Sequence, residues 1–386
     1  LGAQQIIDFK VTEKEAMSRF EGLPQFRHND PEKFGVLLVN LGTPSAPTKI
    51  ALKRYLRQFL WDPRVVEVPR LVWWLLLHGI ILNTRPARSA QAYANIWTEG
   101  GSPLLVISQR QRAALQQALS ETLSGPVAVS LGMRYGQPAI TRGLRELWQQ
   151  GARRILILPL YPQYAGSTVG STFDAVADTL KQWRWLPELR FVTHYHDQPA
   201  YIEAMAAHIE AHWHERAETD RLLFSFHGVP KRYLLEGDPY HCQCHATARL
   251  IAERLGLAET DWQVTFQSRF GREEWLKPYT DETLKALPGQ GVKRIAVVCP
   301  GFASDCLETL EEIDMVNREL FLEAGGEAFS YIPALNASDR HIKALTQLVQ
   351  LHGQGWPELA ADYDYTAGQQ GRDQRRARAM AYGAEA

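Results

Sequence analysis

From Gly35 onward the chain alternates short apolar runs with longer stretches of helical spacing. The runs are Gly35–Asn40, Val127–Met133, Ile155–Leu160, Phe191–His194, Leu222–Phe226, Gln263–Gln267, Ile295–Cys299 and Ala328–Ile332. Short, nearly continuous apolar runs suit parallel strands whose two faces are both covered. Between them, stretches such as Gln109–Leu123 and Glu308–Ala324 carry apolar residues at the three-to-four-residue spacing of an amphipathic helix. This alternation predicts an α/β fold with parallel sheets.

The runs fall into two matching sets. Val36-Leu-Leu-Val-Asn-Leu-Gly-Thr-Pro44 parallels Leu222-Leu-Phe-Ser-Phe-His-Gly-Val-Pro230, and Met133-Arg-Tyr-Gly136 parallels Ser268-Arg-Phe-Gly271. Arg154-Ile-Leu-Ile-Leu-Pro159 parallels Arg294-Ile-Ala-Val-Val-Cys-Pro300. Three motifs repeated in one order predict two similar doubly wound domains, 34–200 and 201–350. The first crossover is longer than its counterpart by roughly 50 residues, which predicts an insertion at about 60–110. Residues 1–33 form a polar extension, and 351–386, rich in Gly, Gln and Arg, read as a partly disordered tail.

Composition narrows the partners. Of 386 residues, 45% are hydrophobic and 22% charged, and 42 basic side chains balance 43 acidic ones, so nothing calls for a polyanion and nucleic acid is not expected. Four cysteines suit a reducing compartment. The most apolar stretch, Leu71–Leu82, is 12 residues long, short of the ~20 needed to cross a bilayer. The first residues lack the pattern of a leader peptide, so the protein is expected to be cytoplasmic, with Leu71–Leu82 a candidate for peripheral contact with a membrane.

In doubly wound sheets ligands bind beyond the carboxyl ends of the strands. There is no Gly-x-Gly-x-x-Gly after the first run and no Walker loop, so a nucleotide enzyme is disfavoured. His227 closes the fifth run. A histidine there packs as often as it reacts, but neutral imidazole is a base suited to neutral pH. Asp305, Glu308 and Glu312 follow the seventh run at helical spacing, which places them on one face. Carboxylates at a helix start are often dipole partners; three on one stripe also suit a shared cation or proton. Cys242-Gln-Cys-His245 lacks the second cysteine pair of a closed metal site and reads as a helix start with incidental thiols. Trp73 and Trp74 suit either core or an apolar lip, and Arg85 and Arg88 suit either solvent or ligand carboxylates.

Together Val39-Asn-Leu-Gly-Thr-Pro44, Gly100-Gly-Ser-Pro103, Gly132-Met-Arg-Tyr-Gly136, Leu158-Pro-Leu-Tyr-Pro-Gln-Tyr164, Ser225-Phe-His-Gly-Val-Pro230, Gly237-Asp-Pro-Tyr240 and Phe302-Ala-Ser-Asp-Cys-Leu-Glu-Thr-Leu-Glu-Glu-Ile313 resemble the ferrochelatases, from about Gly35 to about Leu351. Gly237-Asp-Pro-Tyr-His-Cys-Gln-Cys looks like the Gram-negative bacterial type. The resemblance implies two Rossmann-like domains facing a porphyrin cleft, a chelatase-like fold. It implies ATP-independent insertion of Fe(II) into protoporphyrin IX, the terminal step of haem biosynthesis. It also implies catalytic roles for His227 and Glu308, and metal handling by these two with Asp305 and Glu312. The implied porphyrin pocket is Arg85, Tyr93, Ser102, Tyr161, Trp275 and the Trp73 region.

The chain departs from some members in two ways. No cysteine follows Val349, so no [2Fe–2S] cluster and no cofactor beyond the Fe(II) substrate is expected. Cys306 stands where many members have histidine. Alternatives on the same motifs are a coproporphyrin III ferrochelatase, a related cobalt chelatase or a non-catalytic porphyrin carrier. The carrier would not need both His227 and the acidic stripe.

Overall fold

The computed structural model describes residues 19–22, 26–214, 219–271 and 273–384, so most of the N-terminal extension lies outside the described residues. Among these residues eight strands form two parallel sheets. The first contains β1 (Lys33–Thr43), β2 (Val127–Gly136), β3 (Ala152–Pro159) and β4 (Glu188–Phe191), in the order β2-β1-β3-β4. The second contains β5 (Arg221–His227), β6 (Trp262–Gln267), β7 (Arg294–Val298) and β8 (Ala328–Ile332), in the order β6-β5-β7-β8. The internal sequence repeat is therefore a repeat of topology.

The apolar runs are continuous because each central strand is covered twice. On β1, Val36 and Leu38 enter a large core that also takes Phe224 and Phe226 of β5, so one core joins both halves. Leu37 and Val39, pointing the other way, pack with Ile155, Ile157 and Trp148 beneath the outer helices. In the second half Leu223, Ile295 and Val297 fill the equivalent outer layer.

The fourth strand departs from the sequence reading. It runs Glu188–Phe191, paired from Arg154↔Glu188 to Ile157↔Phe191, rather than Phe191–His194. It is an edge strand with one neighbour, so its pattern alternates. Leu189 and Phe191 pack inward, while Glu188 accepts from Trp356 Nε1 and Arg190 donates to the His352 carbonyl at 2.7 Å. A search for continuous apolar runs passes over such a strand.

The long first crossover holds α1 (Lys49–Leu60), α2 (Arg70–Leu76), a π-helical turn (Leu77–Ile81), α3 (Leu82–Ile96) and α4 (Pro103–Thr122). The corresponding connection between β5 and β6 carries a short helix, Lys231–Leu235, and the long helix Tyr240–Leu255. Thr48 caps α1 through Ala51 N, and Pro103 opens α4 where its missing N–H has no helical partner to lose. The tail, read from composition as loose, contains a helix, Tyr365–Ala381, started by Asp364, whose carboxylate accepts from the Thr366 and Ala367 amides. Arg372 of that helix is buried against Tyr365. Polar composition concealed a helix held by its cap and one arginine.

Candidate active site

The order β2-β1-β3-β4 reverses direction between β1 and β3, and the second sheet does the same between β5 and β7. Ligands bind at the carboxyl ends of strands flanking such a switch point. Those ends carry Gly42 and Thr43, Tyr161, His227, and the loop from Cys299 to Cys306. The two sets of ends are tied to each other. Gly166 N donates to Asp238 at 2.7 Å, Tyr164 N to Gln243 at 2.7 Å and Gln163 Nε2 to Thr247 at 2.9 Å. Gln111 of α4 donates to the Ala303 carbonyl at 2.8 Å. Leu307 packs with Tyr55, Tyr93 and Tyr135 of the first half.

His227 is half-buried at the end of β5. Its Nδ1 lies 2.7 Å from the Gly228 carbonyl. A carbonyl only accepts, so Nδ1 carries a hydrogen, and in the neutral ring the lone pair is on Nε2. Tyr240 holds the strand end by donating its hydroxyl to the His227 carbonyl at 2.9 Å. Trp275 packs on Gly228, where a Cβ would sit 3.1 Å from its ring, and bridges to Pro230.

Glu308 opens a π-helix, Glu308–Asn317, which continues as a short α-helix, Arg318–Glu323. Ten residues of π-helix is unusual, and π-helical segments concentrate at functional sites. Glu312 is one wide turn further on. Burial pushes its carboxyl above the ordinary range; a hydrogen bond from Ser268 and the nearby His227 oppose this, and Glu308 adds to it. Glu312 thus lies within charge range of both His227 and Glu308. Glu308 also bears on Tyr55, Tyr93 and Cys306, whose hydroxyls and thiol burial pushes well up, keeping them protonated donors.

Asp305 does not share this face. It precedes the helix and is buried, and its oxygens accept from Thr309 at 3.1 Å, Tyr331 at 2.6 Å, Ala334 N at 3.1 Å and Asn336 Nδ2 at 2.6 Å. The expected stripe of three assumed an α-helix starting at Asp305. The helix begins later and has a wider turn, so two glutamates face together and the aspartate anchors the loop. Among the described residues no group of three or more His, Cys, Asp and Glu is gathered as a ready-made metal site.

The other expected residues divide. Tyr93 is buried near Thr43 and Tyr55, and Ser102 accepts from Thr43 at 2.8 Å. Tyr93 lies within charge range of Glu308. Tyr161 is beside Tyr135 and Arg134, and its hydroxyl is buried without a hydrogen-bond partner among the described residues, as is the Trp275 indole N–H. Arg85 reaches across from α3 to lie 4.0 Å from the Phe270 ring, and Arg88 faces Glu311. Trp73 is not on the lip surface. It is 4% exposed and donates Nε1 to the Leu60 carbonyl at 2.6 Å, packed with Leu77 and Leu82. The outer face is Leu71, Val72, Trp74, Leu75, Leu76 and Ile80. Helical geometry turns neighbours in sequence to different sides.

Sequence reasoning passed over a polar network at the end of β2. Asp62 is buried and accepts from Tyr135 at 2.8 Å, Ser171 at 2.6 Å, Arg64 N at 2.8 Å and from Arg134. It also passed over Gln267 and Ser268 at the end of β6. A signal was present. Arg134 and Tyr135 lie in the motif Met133-Arg-Tyr-Gly136 at the end of β2, and Ser268 opens its repeat Ser268-Arg-Phe-Gly271 just after β6.

Two like α/β halves meeting at their strand ends define a chelatase-like fold. It is similar to SirB from Bacillus subtilis, solved with Fe3+, at a TM-score of 0.51 and 12% identity, covering 86% of this chain and all (100%) of that one. The sequence model of the family Ferrochelatase matches residues 33–352. The chain is 60% identical to the ferrochelatase of Thioalkalivibrio sulfidiphilus over 367 residues, 95% of this chain and 100% of that protein. It is 60% identical to the ferrochelatase of Marinobacter nauticus over 87% of this chain and 91% of that protein. The chain belongs to the ferrochelatase family.

Proposed function

We propose that this chain is a protoporphyrin ferrochelatase, a lyase that inserts Fe(II) into protoporphyrin IX and so completes haem biosynthesis. The observation that carries the reading is His227 with Nδ1 committed to Gly228 and Nε2 free, set against the Glu308–Glu312 pair in a member of this family.

The chemistry requires two pyrrole N–H protons to leave as the metal enters. In a flat macrocycle the four nitrogens point inward and offer an approaching ion no lone pair. A pocket that fits a bent ring better than a flat one lowers the barrier through differential binding. Tyr55, Tyr93, Ser102 and Tyr161 on one half, and Trp275 on the other, would supply a stiff, mainly aromatic surface of that kind. In its neutral form, with Nδ1 committed to Gly228, His227 takes a proton at Nε2. Glu308 and Glu312 are oxygen donors that suit a hard divalent ion, and they deliver the metal or carry off the second proton. Arg85 and Arg88, at the lip, suit the propionates of the substrate. Two protons and one Fe(II) exchange places, so no nucleotide and no redox partner is needed.

The reading calls for no resident cofactor and no [2Fe–2S] cluster. Such a cluster needs four convergent cysteines, whereas the four here fall in two separate motifs, Cys242-Gln-Cys244 and the loop from Cys299 to Cys306. It places the protein in the cytoplasm, with the outer face of α2 resting on the inner membrane as a peripheral contact. Among the described residues no helix is long and apolar enough to cross a membrane. The test is anaerobic. Purified protein with Fe(II) and either protoporphyrin IX or coproporphyrin III is followed by visible absorption. Haem from protoporphyrin is the expected result. Turnover of coproporphyrin alone would move the enzyme to the other substrate, and binding of both without metallation would make it a carrier.

A further inference from the structure

We infer that Gln267 and Ser268, at the end of β6, are positioning residues that set the two glutamates against His227; this rests on the reading above. Gln267 pairs with His227 in the β5–β6 register, and its carbonyl accepts from Gly228 N at 2.7 Å. Its side chain is buried and engaged at both its oxygen and its nitrogen. Oε1 accepts from Ser225 at 2.8 Å and from the Cys299 thiol at 3.6 Å, and Nε2 donates to the Glu308 carbonyl at 2.9 Å. One residue therefore fastens the strand that bears the base to the first turn of the helix that bears the acids.

Ser268 completes the link. Its hydroxyl donates to Glu312 Oε2 at 2.5 Å. Its backbone is left-handed, with φ 66°, a conformation that disfavours residues with a Cβ and favours glycine. A glycine would satisfy the turn better but would bring no hydroxyl. The chain keeps a side chain where the backbone disfavours one, and that side chain touches the glutamate. Such local cost concentrates at functional sites. Beyond it, Phe270 packs under Arg85 of the lip, so the segment that aims Glu312 also meets the far wall of the cleft. Neither residue is placed to touch the reacting nitrogens; each acts through a glutamate.

The test uses the full chain carrying Ser268→Gly, Ser268→Asn or Gln267→Met, with kcat, KM for Fe(II), KM for protoporphyrin and Tm measured on each. Glycine relieves the backbone, so Ser268→Gly is expected to melt at or above the wild-type temperature. Loss of the hydroxyl hydrogen bond to Glu312, with the Ser268 backbone still beside it, should lower its kcat about fivefold to tenfold, leaving KM for porphyrin unchanged. Asn tolerates the left-handed backbone and carries a donor, so Ser268→Asn should recover several-fold of the loss. Gln267→Met should lower kcat in the same sense. A Ser268→Gly enzyme with wild-type kcat would overturn the inference, as would a loss no larger than its fall in folded fraction. A wild type that makes no metalloporphyrin would overturn the proposed function and this inference together; an active wild type beside an equally active Ser268→Gly overturns this inference alone.

Discussion

Replacing His227 by alanine separates chemistry from architecture. A general base contributes about 10²- to 10⁴-fold, or ~2.7–5.5 kcal/mol of barrier at 1.36 kcal/mol per tenfold. The structural loss is smaller. His227→Ala removes the Nδ1 hydrogen bond to Gly228, worth about 1 kcal/mol, and the half-buried site allows water to replace part of it. Unfolding entropy of ~2.1 cal/mol/K per residue, over a 386-residue chain, turns that cost into a Tm shift of only about 1 °C. The variant should therefore stay folded and bind porphyrin, read by quenching of porphyrin fluorescence, while anaerobic haem formation falls by at least ~100-fold. Turnover within about threefold of wild type would refute the role of Nε2 as proton acceptor. A loss of both binding and thermal stability would mean that the imidazole holds the cleft rather than serving the reaction.

Further tests address other parts of the site. Glu308→Gln keeps the shape and removes the charge, so haem formation should drop ~100-fold or more in the same assay with little change in Tm. Burial raises the Asp62 carboxyl, but hydrogen bonds from Ser171, Arg64 N and Tyr135, with the Arg134 charge, outweigh this and hold it below the ordinary value. Its stabilisation is therefore present above an unfolded pKa of about 3.9 and lost as pH falls through the lower folded value. Asp62→Asn should cost ~3–5 kcal/mol in denaturant unfolding at neutral pH and flatten the acid limb of stability. A Cβ at Gly42, where φ is +104°, would lie 1.7 Å from the Tyr135 carbonyl oxygen, so Gly42→Ala should prise β1 from β2 and sharply lower the denaturation midpoint. Replacing Leu71 and Leu75 by serine removes two exposed apolar side chains of α2, each worth ~1.5 kcal/mol when buried, so co-sedimentation with anionic phospholipid vesicles should weaken ~100-fold. Unchanged binding would exclude that face as the contact.

Much of the architecture is legible from one sequence because parallel strands covered on both faces leave a simple signature. Seven of the runs coincide with strands to within a few residues, and the duplicated motifs anticipate two sheets of one topology. The fourth run slipped because an edge strand alternates, and the tail helix escaped because its composition is polar. The same period that placed Trp73 on an apolar stretch gave no sign of which side it faced.

For the site, sequence alone determined the residue types and their place at strand ends. His227 closes a strand, and Glu308 and Glu312 follow another, because chain order and strand pattern are local properties. Tertiary structure decided which groups meet. Whether Asp305 joins the glutamates depends on where a helix begins and how widely it turns, and its four hydrogen-bond donors come from as far along the chain as Tyr331, Ala334 and Asn336. The His227 tautomer depends on one carbonyl 2.7 Å away. The roles of Gln267 and Ser268 depend on a hydrogen bond between elements more than forty positions apart, such as 44 for Ser268 and Glu312. Periodicity encodes the face a residue presents, whereas hydrogen bonds and charge couplings fall off within a few ångströms, and only the packed chain sets those distances.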